Sequence, residues 1–171
     1  RVVEISSGEY PVDPLYGGPE YETISTFGSY CGIDDLAAIS HANQICNMYG
    51  VDTISCGATI AFAMECYEKG IINQEQTGGL DLQFGNVAAM LEVLQQIVEN
   101  KGPLGKLLSQ GSARAAQVWG PEAEACLVTV KNQEAPAHMP QAKKSLAVIY
   151  AVNPFGADLQ SSEHDPMYEQ D

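Results

Sequence analysis

Apolar side chains recur at helical spacing through most of the chain. Intervals of three and four residues place such side chains on one face of a helix, and four stretches show this pattern. Glycine follows each stretch, in two cases with proline next to it, and both residue types are typical of helix ends. The pattern predicts a mainly α fold with helices over residues 33–49, 54–69, 86–100 and 104–119.

The segments outside these helices carry weaker signals. Residues 1–31 are rich in Gly, Pro, Tyr and acidic residues, which predicts an irregular lead-in. The stretch "CLVTVKNQ", residues 126–133, is the one that is typical of a strand. The stretch "KKSLAVIYAV", residues 143–152, is compatible with a helix or a strand, and we favour a helix. Residues 153–171 have the composition of a loop.

Composition and charge restrict the classes of function. Of the 171 residues, 45% are hydrophobic and 18% charged, which is typical of a globular protein. The net charge of −14 disfavours nucleic acid and anionic membranes as partners, because their phosphates would be repelled. No apolar run approaches the length of a membrane span. The sequence opens on Arg1 rather than Met, and we expect it to be a piece of a longer protein.

Five cysteines are present, and no two of them have the C-x-x-C spacing of a zinc or iron–sulfur site. The sequence therefore predicts no metal ligands within this piece. Three of the five, Cys46, Cys56 and Cys66, fall within the predicted helices. We expect them to be small core residues of a reduced, cytoplasmic protein.

The segment "GGPEYETISTFGSYCGIDDL", residues 17–36, places acidic residues beside a Gly-Gly-Pro turn. Glu20 and Glu22 flank Tyr21 just before the first predicted helix. Acidic residues in loops are usually solvated, so the segment taken alone favours a surface loop. The alternative is a catalytic pocket, because a carboxylate held in dry surroundings can take up protons during a reaction.

Six blocks of the sequence together form a specific pattern of order and spacing. The blocks are "GPEYET", "GIDDLAAI", "NMYGVDTIS", "AMECYEKG", "KNQEAPAHMP" and "AVIYAVNPFGAD". They resemble blocks found in the same order, at similar spacing, in the tungsten-dependent aldehyde ferredoxin oxidoreductases. The resemblance covers nearly the whole chain, and six blocks in order are far more specific than any one of them.

The resemblance implies an irregular multi-helical domain of the family's C-terminal type. Residues 1–140 would form the first helical domain, without the cysteine cluster that precedes it in the family, and residues 141–171 would begin the second. The full-length protein would oxidise aldehydes to carboxylic acids with a tungsten (or molybdenum) bis-pterin, passing electrons through a 4Fe-4S cluster to ferredoxin. The resemblance allows a homodimer, and we expect no cofactor in this piece alone.

The resemblance also implies roles for individual residues. Glu22 matches a family glutamate near the metal that moves protons, which makes it the candidate catalytic residue. The family's pterin motif, D-x-x-G-L-D or D-x-x-G-L-C, corresponds here to Asn47, Gly50, Val51 and Asp52. Asn47 stands where the motif has Asp, so it keeps hydrogen bonding without the charge. Asp52 is equally expected to cap the next helix, and Gly50 to end the preceding one.

His41 and Gln44 occupy positions where some tungsten enzymes carry a Glu-x-x-His pair that holds a metal ion between two subunits. Residues three apart share a helix face, so a Glu-x-x-His pair can bind one ion together. Glutamine is a poor metal ligand. We therefore expect this intersubunit metal to be absent, and His41 to be a helix-surface or interface residue.

Leu159 is the largest departure from the family, whose members commonly have a histidine there, close to the active site. Leucine cannot transfer a proton, so the resemblance implies that a neighbour such as Asp158 or His164 takes over or that the reaction differs. His164 is equally compatible with a plain loop residue. His138 is expected to be structural.

Two other functions stay open beside aldehyde oxidation. Relatives of the family reduce aromatic thioesters, and the leucine at position 159 is compatible with such a shift. The chain is also compatible with a non-enzymatic helical interaction domain. If the gene encodes no cysteine cluster just upstream of Arg1, the oxidoreductase hypothesis is excluded, whereas substrate assays on the full protein would separate the two enzymes.

Overall fold

The computed structural model describes residues 2–161 and confirms a mainly α fold. Within these residues the structure has eight α-helices and, as the single sheet, a two-stranded antiparallel hairpin. The helices are α1 Tyr21–Ile24, α2 Leu36–Tyr49, α3 Thr53–Glu68, α4 Val87–Val98, α5 Gly102–Leu108, α6 Ser112–Trp119, α7 Pro121–Glu124 and α8 Lys144–Val152. The strands are β1 Thr129–Val130 and β2 Gln133–Glu134.

The lead-in is more ordered than its composition predicts. An antiparallel bridge joins Ile5 to Val12, and a 3₁₀ turn spans Pro14–Tyr16. The expectation of an irregular segment is wrong for α1 and for the π-helical turn Ser25–Ser29 that continues it. The backbone turns helically here because its middle is buried against α3, so its polar groups must pair within the segment.

Helices α2 and α3 begin and end at residues that suit those positions. The Asp35 carboxylate accepts hydrogen bonds from the N–H groups of Ala37 and Ala38, which caps α2. At the other end, Gly50 has a φ of +69°, a left-handed conformation that glycine adopts without steric cost. Asp52 caps α3 by accepting from the Ser55 N–H at 2.8 Å. A single residue, Val51, thus separates the end of one helix from the cap of the next.

The fourth predicted helix, residues 104–119, is two helices in the structure. Helix α5 ends at Leu108, and α6 begins at Ser112. Gly111 lies between them with a φ of +90°, which a continuous helix cannot accommodate. The apolar spacing continues across this break, so the spacing alone did not predict that the helix is interrupted.

The predicted strand and the ambiguous segment are both resolved. "CLVTVKNQ" contributes β1 and the first residue of β2, and Lys131 and Asn132 form the tight turn with φ of 53° and 68°. Positive φ at both central residues is the mark of the common two-residue hairpin turn. The segment 143–152 forms helix α8, as favoured. Its far neighbours, residues 162–171 including His164, lie outside the described residues.

The core has one large apolar cluster and one small one. The large cluster centres on α3, whose side chains are buried on nearly every face, and it includes all five cysteines. The small cluster joins Leu146, Tyr150 and Ala157 to Val130 and Ala135. This cluster contains residues from both sides of position 140. The domain boundary expected there stays a prediction.

Among residues 2–161, no helix combines the length and the apolar character that crossing a lipid bilayer would require.

Candidate active site

A polar cavity of about 510 Å³ opens where α1, the facing ends of α2 and α3, and the segment after β2 meet. Its volume lies within the range of sites that hold small ligands and cofactors. Polar side chains form much of its wall. The residues that matter most for its chemistry are Glu22, Asn43, Asn47, Asp52, His138 and Leu159.

Glu22 reaches this cavity because the chain turns sharply before α1. Gly17 adopts a φ of +71°, and Pro19 is buried directly before the helix begins at Tyr21. Glu22 therefore falls in the first turn of α1, where an acidic side chain suits the helix dipole. Only 12% of its side chain is exposed, so Glu22 is not the solvated loop acid that the segment alone favoured.

The Glu22 carboxylate is held by two neighbours from a distant part of the chain. Its Oε2 accepts a hydrogen bond from the Ala137 N–H at 2.8 Å, and its Oε1 shares a short hydrogen bond with His138 Nδ1. The His138 side chain is 14% exposed, and the ring of Tyr21 stands edge-on to it at 5.5 Å. Histidine and glutamate in direct contact form an acid–base pair.

The sequence interpretation of His138 as structural missed this pairing. The two residues are 116 positions apart, and no local pattern links them. The signal available was the block "KNQEAPAHMP" itself, in which His138 lies between two prolines, Pro136 and Pro140, that disfavour a helix.

Residues 135–138, the segment that carries His138, are fixed at both ends. The Tyr30 hydroxyl donates to the Ala135 carbonyl at 3.4 Å, and the Tyr150 hydroxyl donates to the His138 carbonyl at 3.0 Å. Burial, with the negative charge of Glu22 adding to it, raises the pKa of Tyr150 to about 12. Tyr150 therefore stays a neutral donor, and it holds the histidine backbone in place.

Glu134, directly before this segment, is a buried carboxylate that sequence reasoning did not single out. Its Oε1 accepts three hydrogen bonds: from the Thr59 hydroxyl at 3.1 Å, the Ser112 N–H at 2.8 Å and the Ser112 hydroxyl at 2.7 Å. The donors belong to α3 and to the start of α6. Glu134 thus fastens the hairpin to two helices and sets where residues 135–138 begin.

The four residues matched to the pterin motif lie in the turn between α2 and α3, but only two of them reach the cavity. Asn47 and Asp52 line it, at the end of α2 and the cap of α3. Asn47 also donates from Nδ2 to the Tyr16 carbonyl at 2.8 Å. Gly50 shapes the turn, and Val51 packs against the large core cluster.

Asn43 adds a polar group that no motif predicted. It lies one helical turn before Asn47 on α2, lines the same cavity and is only 4% exposed. Its Nδ2 has no hydrogen-bond partner among the residues that the structure describes. A buried polar group without a partner is costly and uncommon, so it indicates a place where a bound molecule supplies one.

These features fit a flat heterocycle such as a pterin. Short polar side chains at the end of one helix and the start of the next can meet the donors and acceptors on its edge. The lone Asn43 amide is the observation that supports this fit most directly.

His41 and Gln44 both bind the lead-in of their own chain. His41 Nδ1 donates to the Pro11 carbonyl at 2.7 Å, and Gln44 Oε1 accepts from the Asp13 N–H at 2.6 Å. These contacts give both side chains an intramolecular role. Among residues 2–161, no group of three or more His, Cys, Asp or Glu side chains is arranged to hold a metal ion.

Leu159 also lines the cavity, so the departure from the family histidine falls inside the candidate site. Its neighbour Asp158 accepts hydrogen bonds from the Ser161 hydroxyl and the Gln160 N–H, which hold the pKa of Asp158 below its usual value. An aspartate that stays ionised is a poor proton donor near neutral pH. His138 lines the same cavity as Leu159, whereas Asp158 is not among the described residues that line it.

Comparison with known protein families finds a match over almost the whole chain. The model of the aldehyde ferredoxin oxidoreductase family, domains 2 and 3, matches residues 1–170.

Curated relatives agree with this match. The tungsten-containing aldehyde ferredoxin oxidoreductase of Pyrococcus furiosus is 40% identical over 141 residues, and that of Thermococcus kodakarensis is also 40% identical over 141 residues. Each alignment covers 81% of this chain but only 23% of the relative, so the chain spans about a quarter of their length.

A solved structure extends the comparison to another reaction. The active-site complex BamBC of benzoyl coenzyme A reductase, bound to 1,5-dienoyl-CoA, matches with a TM-score of 0.60 and 30% sequence identity. The match covers 69% of this chain and 18% of that one.

Proposed function

The chain belongs to the aldehyde ferredoxin oxidoreductase family, and on that premise we propose that it forms one wall of the active site of a tungstopterin oxidoreductase. The parent protein oxidises aldehydes to carboxylic acids and passes the electrons through a 4Fe-4S cluster to ferredoxin. The relatives' names support the aldehyde and the acceptor. The single observation in this chain that supports the proposal most strongly is the Glu22–His138 pair in the polar cavity.

Glu22 is the residue we propose to move protons. Converting an aldehyde and water to a carboxylic acid releases two electrons and two protons, so a nearby base is required. Ionised Glu22 accepts the proton on its carboxylate, and the hydrogen bond that the Nδ1–H of His138 donates to Oε1 orients the carboxylate for this step. The Ala137 N–H keeps the carboxylate oriented during this transfer, because it binds the other oxygen.

The pair also accounts for the leucine at position 159. Leu159 and His138 line the same cavity, so a histidine is present although it comes from a different part of the chain. Leu159 then provides an apolar surface beside the pair, and it limits the access of water to that side.

Asn47, Gly50, Val51 and Asp52 are proposed to hold the pterin. The tungsten or molybdenum bis-pterin supplies the two-electron redox chemistry when it is bound. Within this chain, Asn47 and Asp52 offer hydrogen-bonding side chains to its edge, while Gly50 and Val51 set the turn that brings the two together. Asp52 can serve both the helix and the ligand, because its Oδ2 caps α3 and the residue also lines the cavity.

A second candidate reaction is the reduction of an aromatic thioester. The observations that favour it are the 30% identity to the benzoyl coenzyme A reductase complex and the leucine at position 159. Such a reduction consumes protons and electrons, so the same pair would act as an acid rather than as a base.

The experiment that separates the two uses the purified full-length parent. Its tungsten and pterin content is measured first, and then viologen dye reduction is followed with a set of aliphatic and aromatic aldehydes. In parallel, reduced viologen is supplied with an aromatic coenzyme A thioester. Aldehyde-dependent dye reduction supports the proposal, thioester-dependent dye oxidation replaces it with the second reaction, and a protein that binds no pterin contradicts both.

A further inference from the structure

Asn43 and Thr23 are buried polar residues of the cavity wall that the matched motif does not include, and of the two only Asn43 has a side-chain atom without a hydrogen-bond partner among the described residues. Asn43 sits on α2, four residues before Asn47, so both amides point from the same helix face. Asn43 is 4% exposed, whereas Asn47 is exposed and bound to the lead-in through Tyr16. Asn43 is therefore the deeper of the two groups.

The Asn43 amide has unused hydrogen-bonding capacity. Its Nδ2 has no hydrogen-bond partner among residues 2–161. Rotation of the terminal amide exchanges Nδ2 and Oδ1, so the group can present a donor or an acceptor. Burying such a group without a partner is unfavourable. A bound ligand that supplies the missing hydrogen bond removes this cost.

From this placement we propose that Asn43 binds the amide-like edge of the pterin heterocycle, as a positioning residue of the site. A ring edge that carries a carbonyl or ring nitrogen beside an N–H matches an asparagine amide in both donor and acceptor. The inference rests on the proposed pterin site. It adds a residue one turn deeper than the matched motif.

Asn43 also complements the asparagine at position 47. Asn47 uses its Nδ2 on the Tyr16 carbonyl, which leaves it less free to bind the ring. The Nδ2 of Asn43 has no such partner among the described residues. Asn43 therefore supplies uncharged hydrogen bonds from a more buried position.

The test compares variants of the full-length parent loaded with cofactor. Asn43→Leu keeps the branched shape of the side chain and removes both hydrogen-bonding atoms, and Asn43→Ser keeps one such group. Gln117→Leu on the exposed face of α6 is the matched control, since it also replaces an amide with leucine. Release of pterin and tungsten during dialysis is followed over time, together with the thermal unfolding of the cofactor-free form.

We expect Asn43→Leu to release the cofactor ~10-fold faster than the parent, Asn43→Ser to fall between them and the control to match the parent. The cofactor-free Asn43→Leu form is expected to unfold at an unchanged or higher temperature, since it no longer buries an unpaired amide. Unchanged release in both Asn43 variants would overturn the inference. A parent that binds no pterin would instead contradict the proposed function itself, so the two failures are distinguishable.

Discussion

Replacing Glu134 with leucine is predicted to destabilise the chain strongly. The Oε1 of Glu134 accepts three hydrogen bonds from Thr59 and Ser112, and all three residues are at most 5% exposed. Leucine accepts none, so three buried donors lose their partner at about 1–3 kcal/mol each. Removing the buried charge offsets part of this cost, because its desolvation penalty is several kcal/mol. We expect a net loss of about 3 kcal/mol in the free energy of unfolding.

Urea unfolding of the 171-residue chain, followed by circular dichroism, measures this loss. Glu75→Leu serves as the matched control, since Glu75 is exposed in the loop between α3 and α4 and its replacement should change stability by less than ~0.5 kcal/mol. A change below ~1 kcal/mol for Glu134→Leu would show that the three hydrogen bonds do not hold the hairpin in place. The reasoning from buried donors would then be refuted.

Two further predictions concern the large core cluster. Gly57→Ala should cost about 1–3 kcal/mol of stability, because a Cβ at 57 would lie 2.7 Å from the side chain of Thr26, and urea unfolding checks this. Burial raises the pKa of the Cys31 and Cys66 thiols to about 12, above the 9.0 of an exposed thiol. Their contribution to stability is complete below pH 9 and is lost as pH rises toward 12, by up to about 1.4 kcal/mol per pH unit for each thiol. Stability of Cys31→Ala that fell with pH as steeply as that of the parent chain would contradict this assignment.

Local signals in the sequence located most of the helices. The predicted helices at 33–49, 54–69 and 86–100 correspond to α2, α3 and α4 within three residues at each end, because apolar spacing and capping residues are both local. The break at Gly111 escaped detection, since apolar spacing continues across it and a glycine inside a helical pattern is often tolerated.

The candidate site was only partly visible in the sequence. Glu22 and the turn at Asn47 could be selected by resemblance, but their surroundings depend on contacts between distant segments. His138 meets Glu22 across 116 positions, and Glu134 meets Ser112 across 22. Tertiary packing creates such pairs, and apolar periodicity carries no information about them. Sequence patterns did not single out the Asn43 amide, because its lack of a partner among the described residues is a property of the folded chain.

The central claim is that Glu22 moves protons in the active site of the parent enzyme. Glu22→Gln keeps the shape of the side chain and its contact with the Ala137 N–H but removes its capacity to accept a proton. The direct measurement is the turnover of the full-length Glu22→Gln protein, normalised to its tungsten and pterin content. The account predicts a fall of about 10²-fold or more with unchanged cofactor content, the scale expected for losing a general acid–base group. Normal turnover at normal cofactor content would contradict it.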